Sequence, residues 1–153
     1  MADLMVLPTS IHIYGWLILV ILSCYIIFSD IVNRVISNKS CMLVLFFTVF
    51  INFFSYEVHL GMDIFLSFVF LLFLYSISFW GGGDAKLAIA FLPAITEQYI
   101  LLYLVGIGFL GGVLLLAYMI FSLRHGMRKI KVYGLPFGVP ICISGLFCVA
   151  ASL

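Results

Sequence analysis

The sequence predicts an all-α integral membrane protein with about six transmembrane helices, and three observations support this fold class. First, 66% of the 153 residues are hydrophobic and only 8% are charged, whereas about a quarter of the residues in a typical soluble domain are charged. Second, the few charges are separated by apolar stretches long enough to span a bilayer. Third, the short segments between these stretches alternate along the chain: segments with basic residues are followed by segments whose charged residues are all acidic. We expect residues 1–153 to form one membrane-embedded domain.

The charged residues set the limits of the spans along the chain. Uncharged stretches of 26, 17, 20, 26 and 22 residues follow Asp3, Lys39, Asp63, Glu97 and Lys131. About 17–25 apolar residues span a bilayer as a helix. The first stretch is expected to remain as an anchor, because the N-terminal region lacks the basic residues of a cleavable signal peptide. The six predicted spans are 13–29, 41–56, 64–80, 84–96, 98–122 and 136–152.

The fourth span is unusually short and follows three consecutive glycines, Gly81–Gly83. From Asp84 to Glu97 a helix rises only about 20 Å, against a hydrocarbon core of about 30 Å. We therefore expect this helix to begin below the membrane surface, with unwound glycine backbone before it, which is tolerated where it lines a cavity or packs in protein. In the fifth span, four further glycines indicate close helix approach: Gly106, Gly108, Gly111 and Gly112.

The basic residues predict the orientation. If the short fourth segment also crosses the membrane, all seven basic residues fall in loops on the same side of it: Arg34, Lys39, Lys86, Arg124, Arg128, Lys129 and Lys131. The positive-inside rule makes their side cytoplasmic, which places both termini outside. If the short segment were only re-entrant, the basic stretch 124–131 would lie outside, which the rule disfavours. The net charge of +1 and the absence of a large basic patch argue against nucleic acid as a partner.

Two acidic residues, Asp30 and Asp84, do not belong to the outer set, because both fall at cytoplasmic ends of spans. Each has a structural interpretation. Asp30 could pair with Arg34 at a spacing that suits one helix face, and Asp84 could stabilise the N-terminus of the fourth helix. Lys86 is expected to extend to the headgroups. For Asp84, the three glycines favour a functional interpretation, because glycine permits close backbone approach by an extended peptide.

Two carboxylates within hydrogen-bonding distance would share one proton, and such a pair can activate water and protonate a leaving amine. We expect no cofactor and no metal. The three histidines are scattered, the four cysteines form no CxxC pair, and no side-chain arrangement suggests a covalent nucleophile. The residues alone therefore leave an aspartyl hydrolase as the main hypothesis.

The chain resembles the type IV prepilin peptidases, which belong to the intramembrane aspartyl proteases with a GxGD motif. In that family, an aspartate after a hydrophobic helix is followed about six residues later by Ile-Pro-Asn. Here Asp30 is followed by Ile36-Ser37-Asn38, with serine in place of proline. Gly81-Gly82-Gly83-Asp84 matches GxGD and continues with the family's lysine and leucine, here Lys86 and Leu87. The third signature, proline-aromatic-glycine, corresponds to Pro136, Phe137 and Gly138.

The resemblance covers most of the chain from residue 13 onward and implies a peptidase that removes a short basic leader at the cytoplasmic face of the inner membrane. Its substrates would be prepilins or pseudopilins, in which a hydrophobic helix follows the cleavage site. Asp30 and Asp84 would be catalytic. The chain is similar to the short, peptidase-only form of tight-adherence (Flp pilus) systems, since the longer members add a methyltransferase segment with CxxC pairs.

Two other functions compete with this interpretation. A proton-coupled transporter would also keep intramembrane carboxylates and a broken helix, although transporters of that kind usually show two broken helices in paired halves. A non-catalytic assembly factor would use the same residues for helix packing and predicts that Asp84→Asn has no effect. The sequence does not predict an oligomeric state.

Overall fold

The structure is a computed structural model that describes residues 2–54, 61–77, 80–125 and 135–153. Throughout these ranges the regular structure is helical, which confirms the all-α class. A 3-10 turn at Leu92–Ala94 extends the fourth helix. The helices are α1 (Ala2–Asn33), α2 (Asn38–Phe54), α3 (Met62–Ser76), α4 (Gly82–Phe91), α5 (Glu97–His125) and α6 (Gly138–Ser152).

Each predicted span corresponds to one helix, with different bounds. The first helix is longer than expected, and the fourth is shorter and ends in the 3-10 turn. Two stretches, His12–Asn33 and Glu97–Ile120, are long and apolar enough to cross a membrane. The ends of two predicted spans (55–56 and 78–79) lie outside the described residues, as does most of the basic loop 124–131.

The predicted unwinding of all three glycines before α4 is wrong. Only Gly81 is extended, with φ −67° and ψ 150°, and it is the residue that caps α4. Gly82 and Gly83 form the first helical turn. The first four N–H groups of a helix have no intrahelical partner in any case, so glycines there keep helical dihedrals without losing a hydrogen bond. Gly83 also permits a close contact, because a Cβ there would lie 3.1 Å from the Cβ of Ile36.

Helix α1 faces the core with a single stripe of side chains. Leu19, Ser23, Ile26 and Asp30 are all buried, and their spacing of three to four residues places them on one face of the helix. The other faces carry large exposed apolar side chains such as Ile21 and Phe28. Asp30 is therefore a core-facing residue at the end of this stripe, and its carboxylate lies between the end of α1 and the start of α6.

Helices α4 and α6 form the centre of the fold. Helix α4 packs against α2, α3 and α6, and α6 packs against α1 and α5 as well. Phe91 of α4 fills the space left by Gly145 of α6, where a Cβ would lie 2.6 Å from the ring. The short fourth helix is thus enclosed by longer ones, and its N-terminal turn, which carries Asp84, is positioned by contacts on several sides.

The glycines of α5 fall into two groups. A Cβ on Gly106 would lie 2.9 Å from Oγ of Ser144, and one on Gly111 would lie 3.0 Å from the Phe137 ring. These two contacts confirm the close approach of α5 and α6. For Gly108 and Gly112 the prediction is wrong, because no atom of the described residues lies within 4 Å of a Cβ placed there. Both glycines border a cavity instead.

The outward faces of the described helices are covered by large apolar side chains. On α2 and α3 the most exposed include Phe53 (77% exposed) and Met62 (81%). On α5, Leu101 and Phe109 are similarly exposed. Monomeric soluble proteins rarely expose contiguous apolar patches larger than a few hundred Å², so this surface requires an apolar partner.

Candidate active site

Asp30 lies in the last turn of α1 and is only 5% exposed. Its Oδ2 accepts a hydrogen bond of 2.8 Å from the backbone N–H of Gly138, the first residue of α6. This N–H is one of the groups that a helix cannot pair internally. The carboxylate of α1 therefore caps α6 from another helix, where the helix dipole also favours negative charge.

Gly138 is required sterically at this contact. A Cβ at this position would lie 2.7 Å from Oδ2 of Asp30 and 3.2 Å from Cδ1 of Ile36. The preceding residue, Phe137, packs its ring against Gly111 and lies 6.2 Å from the Trp80 ring, measured between centroids. The proline-aromatic-glycine signature thus performs two tasks here: the glycine admits the carboxylate, and the aromatic ring fixes the start of α6 against α5.

Asp84 is the third residue of α4 and is partly exposed. Its Oδ2 lies beside Gly81, the residue that caps the helix, since a Cβ at Gly81 would lie 3.0 Å from it. The third helical position is the one from which the acceptor side chain of a capping box reaches back to the cap residue. The structural interpretation of Asp84 as a helix-terminal carboxylate is therefore correct in geometry.

Asp30 and Asp84 line the same cavity, which has a volume of about 280 Å³. They are close enough for the charge of Asp30 to act on Asp84. The other lining residues come from the segment after α1, the start of α4 and the approach to α6: Arg34, Val35, Ile36, Gly81, Gly83 and Leu135. The cavity is therefore lined by two acids, an arginine and glycine backbone.

The segment between α1 and α2 contacts residues that lie next to both acids. The side chain of Ile36 packs against Gly83 and against Gly138. Ser37 caps α2, since its Oγ accepts a hydrogen bond of 3.1 Å from the N–H of Ser40. Oδ1 of Asn38 accepts a 3.0 Å hydrogen bond from Nζ of Lys86 at an exposed position. The structure thus brings residues of all three signatures into contact: Ile36 with Gly83 and Gly138, and Asn38 with Lys86.

Arg34 does not take the helical position that its spacing from Asp30 suggested. It follows α1 with a φ of 56°, a left-handed conformation that is uncommon outside glycine. Its guanidinium donates a 2.8 Å hydrogen bond to the hydroxyl of Tyr118 and lies 5.5 Å from the centre of that ring. Sequence reasoning missed Tyr118, because no local pattern connects residues that are 84 positions apart.

Among the residues that the structure describes, no group of three or more histidine, cysteine, aspartate or glutamate side chains is arranged to hold a metal ion. Comparison of the chain with protein-family models, with curated proteins and with solved structures finds no significant match. The function is therefore argued from the chemistry of the cavity and from the sequence signatures that meet there.

Proposed function

We propose that this protein is a membrane-embedded aspartyl endopeptidase that removes the leader peptide from prepilin-like substrates. One observation carries the proposal: Asp30 and Asp84, on separate helices, line one cavity, and the three sequence signatures contact one another around it. A packing role for each acid alone does not require the two to share a cavity.

The apolar exterior supports membrane insertion. In water, exposure of the phenylalanine, leucine and isoleucine side chains would cost roughly 25 cal/mol for each Å² of apolar area. Contact with lipid tails removes this cost. We propose that all six helices lie in the cytoplasmic membrane. Arg34 lines the catalytic cavity and Lys86 lies beside it, so the cavity lies at the basic end of the fold. The positive-inside rule assigns that end to the cytoplasm.

In the proposed mechanism the two carboxylates share one proton. The ionised carboxylate takes a proton from a water molecule, and the oxygen of that water attacks the carbonyl carbon of the scissile peptide bond. The protonated carboxylate donates its proton to the carbonyl oxygen, which gives a tetrahedral diol. When the carbon–nitrogen bond breaks, the carboxyl group that took its proton from water passes that proton to the leaving amine, and a hydroxyl proton of the diol passes to the other carboxylate. The products are a carboxyl group on the leader and a new amino terminus, and the dyad again holds a single proton.

The environment of each carboxylate suits this role. The Asp30 carboxylate is held by the backbone N–H of Gly138, and the Asp84 carboxylate lies against Gly81 at the start of its helix, so both groups have defined positions before substrate arrives. Preorganised geometry of this kind supplies much of the rate enhancement in enzymes. The glycine backbone at Gly81 and Gly83 lines the same cavity and leaves the space that a side chain would fill, which allows a substrate backbone to lie close to the acids.

The test is leader removal from a precursor. The chain would be co-expressed with a designed precursor made of a short basic leader, a glycine and a single apolar helix, and processing would be followed as a mobility shift. Wild-type protein should process the precursor, and Asp30→Asn and Asp84→Asn should each abolish processing. Asp3→Asn, an acid-to-amide change on the predicted outer side, is the matched control. Full processing by either dyad variant would contradict the mechanism, and a transporter with the same carboxylates would not shorten the precursor.

A further inference from the structure

Two adjoining cavities lie between α3 and α5. One, of about 390 Å³, is bordered by Trp80 and Phe137 at one end. The other, of about 440 Å³, is bordered by Asp63 and Glu97 at the opposite end. Both are lined by Phe70 and Leu104, so they adjoin, and we name the two together the α3/α5 groove. On α5 it extends from Glu97 to Leu115, about 27 Å at the helical rise of 1.5 Å per residue.

The α3/α5 groove has an unfilled glycine face. A Cβ at Gly108 or Gly112 would meet no atom within 4 Å, although both residues line the groove. Glycine weakens a helix by about 1 kcal/mol relative to alanine, and no contact within the described chain requires these two. Small residues on one helix face allow a second helix to approach closely within a membrane.

Trp80 is a second and independent observation. It lines the groove and is only 8% exposed, yet its indole N–H has no hydrogen-bond partner among the described residues. A buried donor without a partner is unfavourable by about 1–3 kcal/mol. A ligand with an acceptor oxygen at this end of the groove would remove that cost.

The groove meets the catalytic cavity at this same end. Trp80 directly precedes Gly81, and Phe137 lies two positions from Leu135; the first member of each pair lines the groove and the second lines the cavity. A substrate chain that ran from the cavity into the groove would pass only Trp80 and Phe137. The groove is apolar along its middle and carries carboxylate side chains at its far end.

We propose that the α3/α5 groove is the docking site for the apolar helix of the substrate that follows the scissile bond; this inference rests on the proposed function. The glycine face receives the substrate helix at close range. The Trp80 indole donates to a backbone carbonyl in the extended stretch between the cleavage site and that helix, where carbonyl groups lack helical partners. The carboxylates of Asp63 and Glu97 favour a basic or polar substrate residue at the point where the substrate helix leaves the groove.

Photocrosslinking tests this placement directly. A benzoylphenylalanine residue would replace Leu104 or Leu115, which line the groove, in an Asp84→Asn background that binds the designed precursor without cutting it. Matched controls carry the crosslinker at Val105 or Leu116, which are exposed on other faces of α5 (58% and 59%). Adducts with the precursor from the groove positions and not from the controls are expected. Adducts between two copies of the enzyme, or only with lipid, at the groove positions would overturn the proposal.

Filling the groove provides a second measurement. Gly108→Leu and Gly112→Leu place a large side chain where the folded protein has space, and both changes favour a helix, so the protein should still fold. They should raise KM for the full precursor by about tenfold or more, equivalent to about 1.4 kcal/mol, with little change in kcat, since binding in the groove is lost but the dyad is intact. Val105→Leu is the matched control. Unchanged KM in both filled variants would overturn the proposal.

The two proposals fail in distinguishable ways. If wild-type protein processes the precursor and Asp30→Asn does not, the peptidase function is supported whatever the groove variants show. Negative crosslinking and filling results would then refute the docking site alone. If wild-type protein does not process the precursor at all, the peptidase function is refuted, and the docking inference that rests on it is refuted with it.

Discussion

The backbone N–H of Gly138 donates a 2.8 Å hydrogen bond to Oδ2 of Asp30 across 108 positions of sequence. This bond joins the last turn of α1 to the first residue of α6. It satisfies an N–H that α6 cannot pair internally, and it fixes the orientation of a carboxylate that lines the same cavity as Asp84. The glycine and the aspartate form one structural unit, so a change in either alters the other.

Gly138→Ala should therefore reduce cleavage strongly. The added methyl group would lie 2.7 Å from Oδ2 of Asp30, so either the carboxylate or the start of α6 must shift. Displacement of a catalytic group by about 1 Å can reduce the rate by about 100-fold, and we expect a loss of that order in kcat/KM. The measurement is the initial rate of precursor cleavage in detergent micelles, alongside a thermal melt that reports on folding.

Phe147→Leu is the control for Gly138→Ala, because it changes an apolar residue on the same helix whose side chain is 73% exposed. It should leave both the rate and the melting temperature nearly unchanged. If Gly138→Ala cleaved at the wild-type rate, the contact with Asp30 would not position the catalytic carboxylate.

Ser37 offers a prediction on stability. Its Oγ accepts a hydrogen bond from the N–H of Ser40 and caps α2, so Ser37→Ala should lower the free energy of unfolding by about 1 kcal/mol. Ser37→Asp should retain most of the stability, since aspartate is an equally good capping residue. Denaturant titration in mixed micelles measures both values. Equal stability of Ser37→Ala and wild type would show that the cap makes no net contribution.

The dependence of cleavage on pH follows from the single shared proton. At low pH both carboxylates are protonated and neither can accept a proton from water, so the rate falls. At high pH both are ionised and neither can protonate the carbonyl oxygen, so the rate falls again. We expect a bell-shaped profile of kcat/KM, whose two limits belong to the pair rather than to one residue. A flat profile across several pH units would contradict a shared-proton dyad.

The helices and the two acids could be predicted from the sequence because both leave local signals. Long uncharged stretches predict helices directly, and Asp30 and Asp84 are conspicuous because they interrupt the charge pattern. The expected unwinding of Gly82 and Gly83 was wrong because glycine marks close approach as well as broken helix, and sequence does not separate the two. At Gly83 the approaching group is the side chain of Ile36, which lies 47 positions earlier.

The parts that sequence could not predict all depend on contacts between distant segments. The hydrogen bond from Lys86 to Asn38 joins two residues that were each identified, but nothing in their spacing indicated that they meet. The Arg34–Tyr118 contact and the open space beside Gly108 and Gly112 depend on how α5 lies relative to its neighbours. Such relationships are set by side-chain packing between helices, which hydrophobic periodicity does not encode.

The capping of α6 by Asp30 has a consequence for biosynthesis. During translation α1 through α5 leave the ribosome before α6 does, so a nascent chain already carries both acids while the donor that holds Asp30 has not yet been made. Asp30 gains this hydrogen bond only when the last of the described helices has packed beside the first. Under the proposed function, a growing chain would therefore be kept from cutting neighbouring proteins until its own folding is nearly complete.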